Sequence, residues 1–265
     1  MQNISRPLAE QVLRIARTAG DAILRVYRGD AQLRYKSDAS PLTAADLASH
    51  RVIAQGLGEL NTAVPLLSEE GAHIAYATRR EWPRYWLVDP LDGTREFVKR
   101  NGEFTVNIAL IERGVAVLGV VHAPVTDTSY IGLSGIGAWK SVADGPWQAI
   151  TVAKVHETPV RVVASRSHAG DSLKGFLARV GSHAVVPMGS SLKLCLVAEG
   201  MADVYPRFGP TSEWDTAAAQ AVVEAAGGRV TDTGLQTLRY NDKESLLNPP
   251  FLVFGDVNEN WARYL

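Results

Sequence analysis

A single cysteine, Cys195, stands in a chain of 265 residues, so no internal disulfide can form and no cysteine pair can hold a soft metal. Its surroundings, LKLCLVAEG, are apolar, which predicts a buried and inert thiol. A reducing cytoplasm suits such a chain. Charge of one sign is missing too: 27 Lys and Arg against 28 Asp and Glu leave a net charge of −1. No overall field therefore draws the chain to a nucleic-acid polymer or an anionic membrane, and any anion must be recognised locally. No stretch approaches the roughly 20 uninterrupted apolar residues that span a bilayer, which predicts no integral membrane segment. The N-terminal MQNISRPLAEQVLRIART carries charges every few residues, unlike the continuous apolar core of a signal peptide. Internal repeats, low-complexity tracts and charge runs are likewise missing.

What is there is enough to fold: 46% of the residues are hydrophobic, sufficient for a substantial core. Residues 7–28 place Leu8, Val12, Ile15, Ala16, Ala19, Ile23 and Val26 at spacings of three and four, which predicts an amphipathic helix with Pro7 in its first turn. AQLRYKSDASP reads as a short strand and a polar loop closed by Pro41. A second helix is then predicted from about Thr43, its cap, to Leu60, with Asp46 in the first turn. VPLLSEE and RYWLVDP are short apolar runs that stop at acids, and FTVNIALIERGVAVLGVVHAPV reads as two strands joined at Glu112-Arg113-Gly114. TSYIGLSGIGAWK and GPWQAITVA continue that meander.

The second half alternates. VRVVAS, HAVVPM, ADVYP and FLVFGD read as strands; DSLKGFLARV, SLKLCLVAEG and WDTAAAQAVVEAAGG read as helices, the last ended by paired glycines, and a short helix closes the chain. This pattern predicts an α/β protein of layered α+β sandwich type. Two lobes are expected, residues 1–155 carrying most of the acidic site and residues 156–265 carrying Asp215 and the substrate-binding residues.

Acids recur where apolar segments end: Glu69-Glu70 after VPLLS, Asp89 and Asp92 around Pro90-Leu91, Asp215 after Trp214, and Asp46 in the second helix. Taken singly each has an ordinary explanation, a solvated loop, a turn with an N-cap, or a helix cap. Taken together they resemble a metal cradle. Unit charges about 4 Å apart repel by roughly 4 kcal/mol at an effective dielectric near 20, so such a cluster needs cations. All the donors are oxygen, which points to Mg²⁺ or Mn²⁺ rather than zinc. Pro90 stiffens the turn so that Asp89, Asp92 and the Leu91 carbonyl point one way. Gly93 permits a sharp bend, and Thr94 offers a hydroxyl and an N–H at a helix start, where phosphate binds well.

At these residues the sequence resembles the inositol monophosphatase superfamily of metal-dependent, lithium-sensitive phosphatases. WLVDPLDGTREF and WDTAAAQAVVEAAGG stand where its two signatures do, and LLSEE and LTAAD add further matches. Within it the likeness is to bisphosphate nucleotidases of the CysQ type, on RNGEFTVNIALI, ASRSHA, GSSLKLCLVAEG and YPRFGPTSEWDTAA. Inositol monophosphatases usually lack the SRSH segment and carry an acid in place of Arg207. The resemblance implies the sugar-phosphatase fold of inositol monophosphatase and fructose-1,6-bisphosphatase. It further implies a Mg²⁺-dependent phosphoric monoester hydrolase acting on adenosine 3',5'-bisphosphate, in sulfate assimilation, with two or three ions and Mn²⁺ as a substitute.

Carried over residue by residue, Glu69, Asp89 and the Leu91 carbonyl would hold one ion, and Asp89, Asp92 and Asp215 a second. Thr94, supported by Asp46, would help deprotonate the attacking water, with Glu70 in a secondary role. His168, Ser190, Lys193 and Arg207 would contact the nucleotide, with Gly189 and Ser191 at the same helix start and Gly93, Thr94 and Asp215 around the phosphate. Inositol or sugar-phosphate hydrolysis is the rival activity, and a non-catalytic nucleotide-binding regulator the rival from another class; the full set of acids speaks against the latter. The expected protein is a cytoplasmic monomer or homodimer, with peripheral attachment to the inner membrane face as the variant some relatives suggest.

Overall fold

The computed structural model describes residues 4–29, 41–61, 63–71, 73–154, 158–164 and 170–265. Helix α1, Arg6–Tyr27, opens where Ser5 Oγ accepts a hydrogen bond from Leu8 N, with Pro7 in the first turn. Its apolar stripe is buried from Leu8 to Val26, as the spacing predicts. Helix α2, Pro41–Leu60, begins two residues before the expected Thr43. Proline lacks the N–H that a first helical residue leaves unused and has a φ suited to it, so Pro41 opens the helix instead of closing a loop. Asp46 accordingly falls in the second turn. The strand expected around residues 31–41 lies outside the described residues.

The first sheet follows: β1 (Leu66–Ser68), β2 (Arg84–Asp92), β3 (Thr105–Glu112), β4 (Val115–Ala123), β5 (Thr128–Leu133), β6 (Gly137–Val142) and β7 (Gln148–Ile150). These seven strands lie in sequence order, β1 parallel to β2 and each later neighbour antiparallel. Short helices α3 (Tyr76–Arg79) and α4 (Thr94–Lys99) flank β2. The second half supplies β8 (Val160–Ala164), α5 (Asp171–Val180), β9 (His183–Pro187), α6 (Leu192–Ala198), β10 (Val204–Arg207), α7 (Glu213–Ala225), β11 (Arg229–Asp232), β12 (Phe251–Phe254) and a final 3-10 turn, Trp261–Tyr264. Its strands form a five-stranded sheet in the order β11-β12-β10-β8-β9.

Strand alternation sets the layers. On β3, Val106, Ile108 and Leu110 join the core under α1 and α2, whereas Ala109 and Ile111 join a second core with α6 and α7. On β12, Phe251 and Val253 face that same second core, while Leu252 and Phe254 pack with Phe176 and Trp261 beyond. The order is therefore helices, sheet, helices, sheet, helices. The middle helix α7 lies unusually close to the first sheet. Gly119 and Gly132 are cross-strand partners beneath it, and a Cβ would stand 2.0 Å from Ala218 O at the first and 2.4 Å from Val222 Cα at the second. The Ala-rich run WDTAAAQAVVEA suits that approach. No helix among the described residues is long and apolar enough to cross a membrane.

Candidate active site

Two parallel strand ends and one helix start converge. Ser68 on β1 registers with Val88 on β2, and Glu69 N donates to Val88 O at 3.2 Å, so Glu69 leaves the sheet beside Asp89. Asp215 is the third residue of α7 and closes a capping box with Ser212, whose N–H donates to Asp215 Oδ2 at 2.8 Å. Oxygens of Glu69, Asp89 and Asp215 lie within 4.8 Å of one another. Asp89 is buried and Glu69 exposed, so the group is rooted in the core and open on one side.

β2 does not stop at Asp89 as its apolar run suggests. It continues to Asp92 through a bulge: Asp89 pairs with Asn107 and Asp92 with Thr105, so the three-residue step on β2 meets a two-residue step on β3. In a regular strand, residues three apart point to opposite faces. The extra residue turns Asp92 back toward Asp89, and the proton affinity of Asp89 registers its charge. Pro90, without an N–H, fits a bulge. Ser49 Oγ on α2 donates to Pro90 O at 2.7 Å, Leu91 N donates to Asp89 Oδ1 at 3.0 Å, and His50 Nδ1 lies 2.9 Å from Ser68 Oγ. Helix α2 thus grips both acid-bearing strands.

The electrostatics call for a cation. Burial, then Asp92, Glu69 and Asp215, raise Asp89 well above the usual carboxylate range. Burial and Asp92 push Asp215 up to about 7. Glu69 rises through burial, Glu70 and Asp92. Asp46 is pushed up to about 8 by burial, Glu70 and Glu69, and its Oδ1 is buried without a hydrogen-bond partner among the described residues. Carboxylates that gain protons in this way are short of positive charge, and an all-oxygen donor set fits a hard divalent ion.

Beside the acids opens a cavity of about 860 Å³, lined by Asp92, Gly93, Thr94, Ser190, Ser191, Lys193, Arg207 and Asp215 among others. Burial lowers the Lys193 amine, Asp92 opposes this, and Arg207 adds to it. Lys193 Nζ sits 5.6 Å from the Tyr205 ring centroid. Arg207 Nε and Nη2 donate to Gly209 O and Pro210 O at 3.2 and 3.0 Å, which fixes the guanidinium at the wall. Gly93, at φ 98°, precedes α4, and Thr94 opens it. Gly189 N donates to Glu103 Oε2 at 2.8 Å, and a Cβ there would stand 2.5 Å from Glu96 Cγ.

Ser191 holds the N-cap position of α6 and Ser190 precedes it at φ 47°. Glu70 lies near enough to Asp46 to raise its proton affinity but outside the tight acid group. His168 lies outside the described residues. Cys195 is free and buried. Two residues that motif reading overlooked, Thr105 and Asn107, are polar positions on an otherwise apolar strand, two apart and so on one face; Ser191 Oγ lies 2.8 Å from Thr105 Oγ1 and from Asn107 Oδ1. Their sign in the sequence is that polar pair inside TVNIALIE.

Residues 5–260 match the model of the inositol monophosphatase family. The 3'(2'),5'-bisphosphate nucleotidase CysQ of Salmonella typhimurium is 54% identical over 248 residues, 93% of this chain and 99% of its own. Among solved structures, CysQ from Bacteroides thetaiotaomicron superposes with a TM-score of 0.85 at 43% identity, covering 94% of this chain and 97% of its own. The inositol monophosphatase from Anabaena reaches 0.76 at 25% identity, covering 98% and 95%. On the match over nearly its whole length, and on relatives above half identity, the chain belongs to the inositol monophosphatase family.

Proposed function

We propose that this chain is a Mg²⁺-dependent 3'(2'),5'-bisphosphate nucleotidase that removes the 3'-phosphate of adenosine 3',5'-bisphosphate to give AMP and phosphate. The observation that carries the reading is the acid cluster of Glu69, Asp89 and Asp215 opening onto a cavity walled by Lys193 and Arg207. Likeness to CysQ enzymes at 54% identity, against 25% for an inositol monophosphatase, supports the substrate.

Glu69, Asp89, the Leu91 carbonyl, Asp92 and Asp215 would hold the ions, two or three in number, with Mn²⁺ able to replace Mg²⁺. When bound, Mg²⁺ acidifies water and neutralises charge on the leaving oxygen of an in-line displacement. The protein does the rest. Thr94 Oγ1 would accept the proton of the attacking water as it passes its own hydroxyl proton to the Asp46 carboxylate, with Glu70 beside Asp46 in a secondary role. The Gly93–Thr94 backbone and the turn of Gly189, Ser190 and Ser191 orient the phosphate. Lys193 and Arg207 bind the second phosphate, which the acids leave free, by charge-assisted hydrogen bonds. His168 is assigned to the nucleotide. We further place a lobe boundary near residue 155, the first lobe supplying most ion ligands and the second the substrate residues and Asp215.

Rates on adenosine 3',5'-bisphosphate, inositol 1-phosphate and fructose 1,6-bisphosphate test the substrate. The bisphosphate nucleotide should have a kcat/KM at least about tenfold above the others, the ratio that 1.4 kcal/mol of extra transition-state binding gives. A higher value on inositol phosphate reverses the reading.

A further inference from the structure

Asn107 lies at the heart of the fold with a side chain that packing alone does not explain. It is 1% exposed on β3, directly opposite Asp89, and shares its face with Thr105, which is fully buried. The other residues of that face, Ala109 and Ile111, are apolar. Ser191 Oγ donates to Asn107 Oδ1 at 2.8 Å. Its single proton so used, Ser191 Oγ can only accept from Thr105 Oγ1, also at 2.8 Å. The chain of donors therefore runs from Thr105 through Ser191 to Asn107, with one direction throughout. The Ser191 backbone N–H meanwhile donates to Asp92 Oδ2. Asn107 Nδ2 has no hydrogen-bond partner among the described residues, so the amide is held through its oxygen alone. Burying an amide with its donors unpaired is unfavourable, so an apolar residue of equal size would suit a purely structural role better.

We propose that Asn107 is a positioning residue: by holding the Ser191 hydroxyl it fixes the turn at the start of α6, and through the Ser191 N–H it sets the Asp92 carboxylate. The latch joins the two halves of the site, since β3 carries Asn107 beside Asp89, and α6 carries Lys193 two residues beyond Ser191. Outer residues that orient ion ligands typically change metal affinity by about ten- to a hundredfold when replaced. This inference rests on the ion-binding reading above, and the amide oxygen that receives the Ser191 proton explains why an amide, and not a methyl, stands opposite Asp89.

The test is Mg²⁺ titration of the substrate-free full chain by calorimetry, on wild type, Asn107→Leu, Ser191→Ala and the double variant, with circular dichroism to establish that each is folded. Each single variant should weaken Mg²⁺ binding about tenfold or more, and the double should be no weaker than the worse single, because both break one latch. Asn107→Leu should also raise the KM for adenosine 3',5'-bisphosphate. Should Asn107→Leu misfold, Ser191→Ala, which removes one hydroxyl, carries the comparison with Thr105→Val as its partner. Wild-type Mg²⁺ affinity in the folded variants, or simple additivity in the double, overturns the proposal. Wild type that binds Mg²⁺ but does not cleave the nucleotide sinks the substrate reading and leaves the latch standing on the calorimetry; wild type that binds no Mg²⁺ sinks both.

Discussion

Asp215 shows how far single residues can be read and where chemistry has to be added. The pattern of an apolar segment ending in an acid marks Glu69, Asp89 and Asp215 in the sequence, and the structure brings their oxygens within 4.8 Å. Asn107 escapes such reading because its role depends on what lies across the sheet and across the interface, which no local pattern encodes. Ser190 and Ser191 are adjacent and alike, so only the left-handed backbone at Ser190 separates the cap from the residue before it. The acid cluster has a consequence for pH. Asp215 and Asp46 are pushed up to about 7 and about 8 without a cation, and Mg²⁺ favours their ionised forms. Lowering pH from 8 to 6 should therefore protonate the cluster and weaken Mg²⁺ binding, by up to about tenfold per pH unit for each proton displaced. Calorimetry in buffers of different ionisation enthalpy should show proton release on binding at pH 7; no release and no pH dependence would contradict these shifts. Arg207 carries the matching prediction for substrate. Arg207→Ala should lose one charge-assisted contact, about 1.5–3 kcal/mol, and so raise KM for the bisphosphate about ten- to a hundredfold. Its effect on inositol 1-phosphate should be several-fold smaller.

Elements place these residues by geometry that is only partly local. The Asp-Pro-Leu-Asp spacing works because β2 carries a bulge; without it Asp89 and Asp92 would face opposite sides of the sheet. Proline in that run hints at the irregularity, but register is a property of the pair β2 and β3. Long periodic segments such as α1 and the β3–β4 hairpin are legible at once. β11, only four residues long and directly after paired glycines, is not, since so short a strand has no period to read. α2 starts earlier than its polar residues suggest because Pro41 is as good a first residue as Thr43 is a cap. The bed of α7 makes a sharp test. In Gly119→Ala the new Cβ would stand 2.0 Å from Ala218 O, so α7 must move and carry Asp215 with it. The variant should lose on the order of 1–3 kcal/mol or more of stability, and its Mg²⁺ affinity should fall with it. Gly58, whose Cβ would meet nothing within 4 Å, supplies the control: Gly58→Ala should leave both unchanged or slightly improve stability.

At the scale of the whole molecule, the layered α/β order is implied by the alternation of strands and helices, but the sharing between halves is not. α7 belongs by sequence to the second half and packs on the first sheet, so one central core holds Leu87 and Val121 together with Tyr205 and Val253. That arrangement carries Asp215 to Glu69 and Asp89, and seats α6 with Lys193 beside Asp92, so the acids and the basic wall meet at the junction of the two sheets. Near-neutral charge overall is compatible with anion recognition because Lys193 and Arg207 supply positive charge locally, at the cavity wall. The central claim is that the acid cluster removes the 3'-phosphate while Lys193 and Arg207 retain the 5'-phosphate. Phosphorus NMR of the purified protein with adenosine 3',5'-bisphosphate and Mg²⁺ reads it directly: inorganic phosphate and 5'-AMP should appear together, and EDTA should stop both. Formation of 3'-AMP, or turnover that survives EDTA, would contradict it.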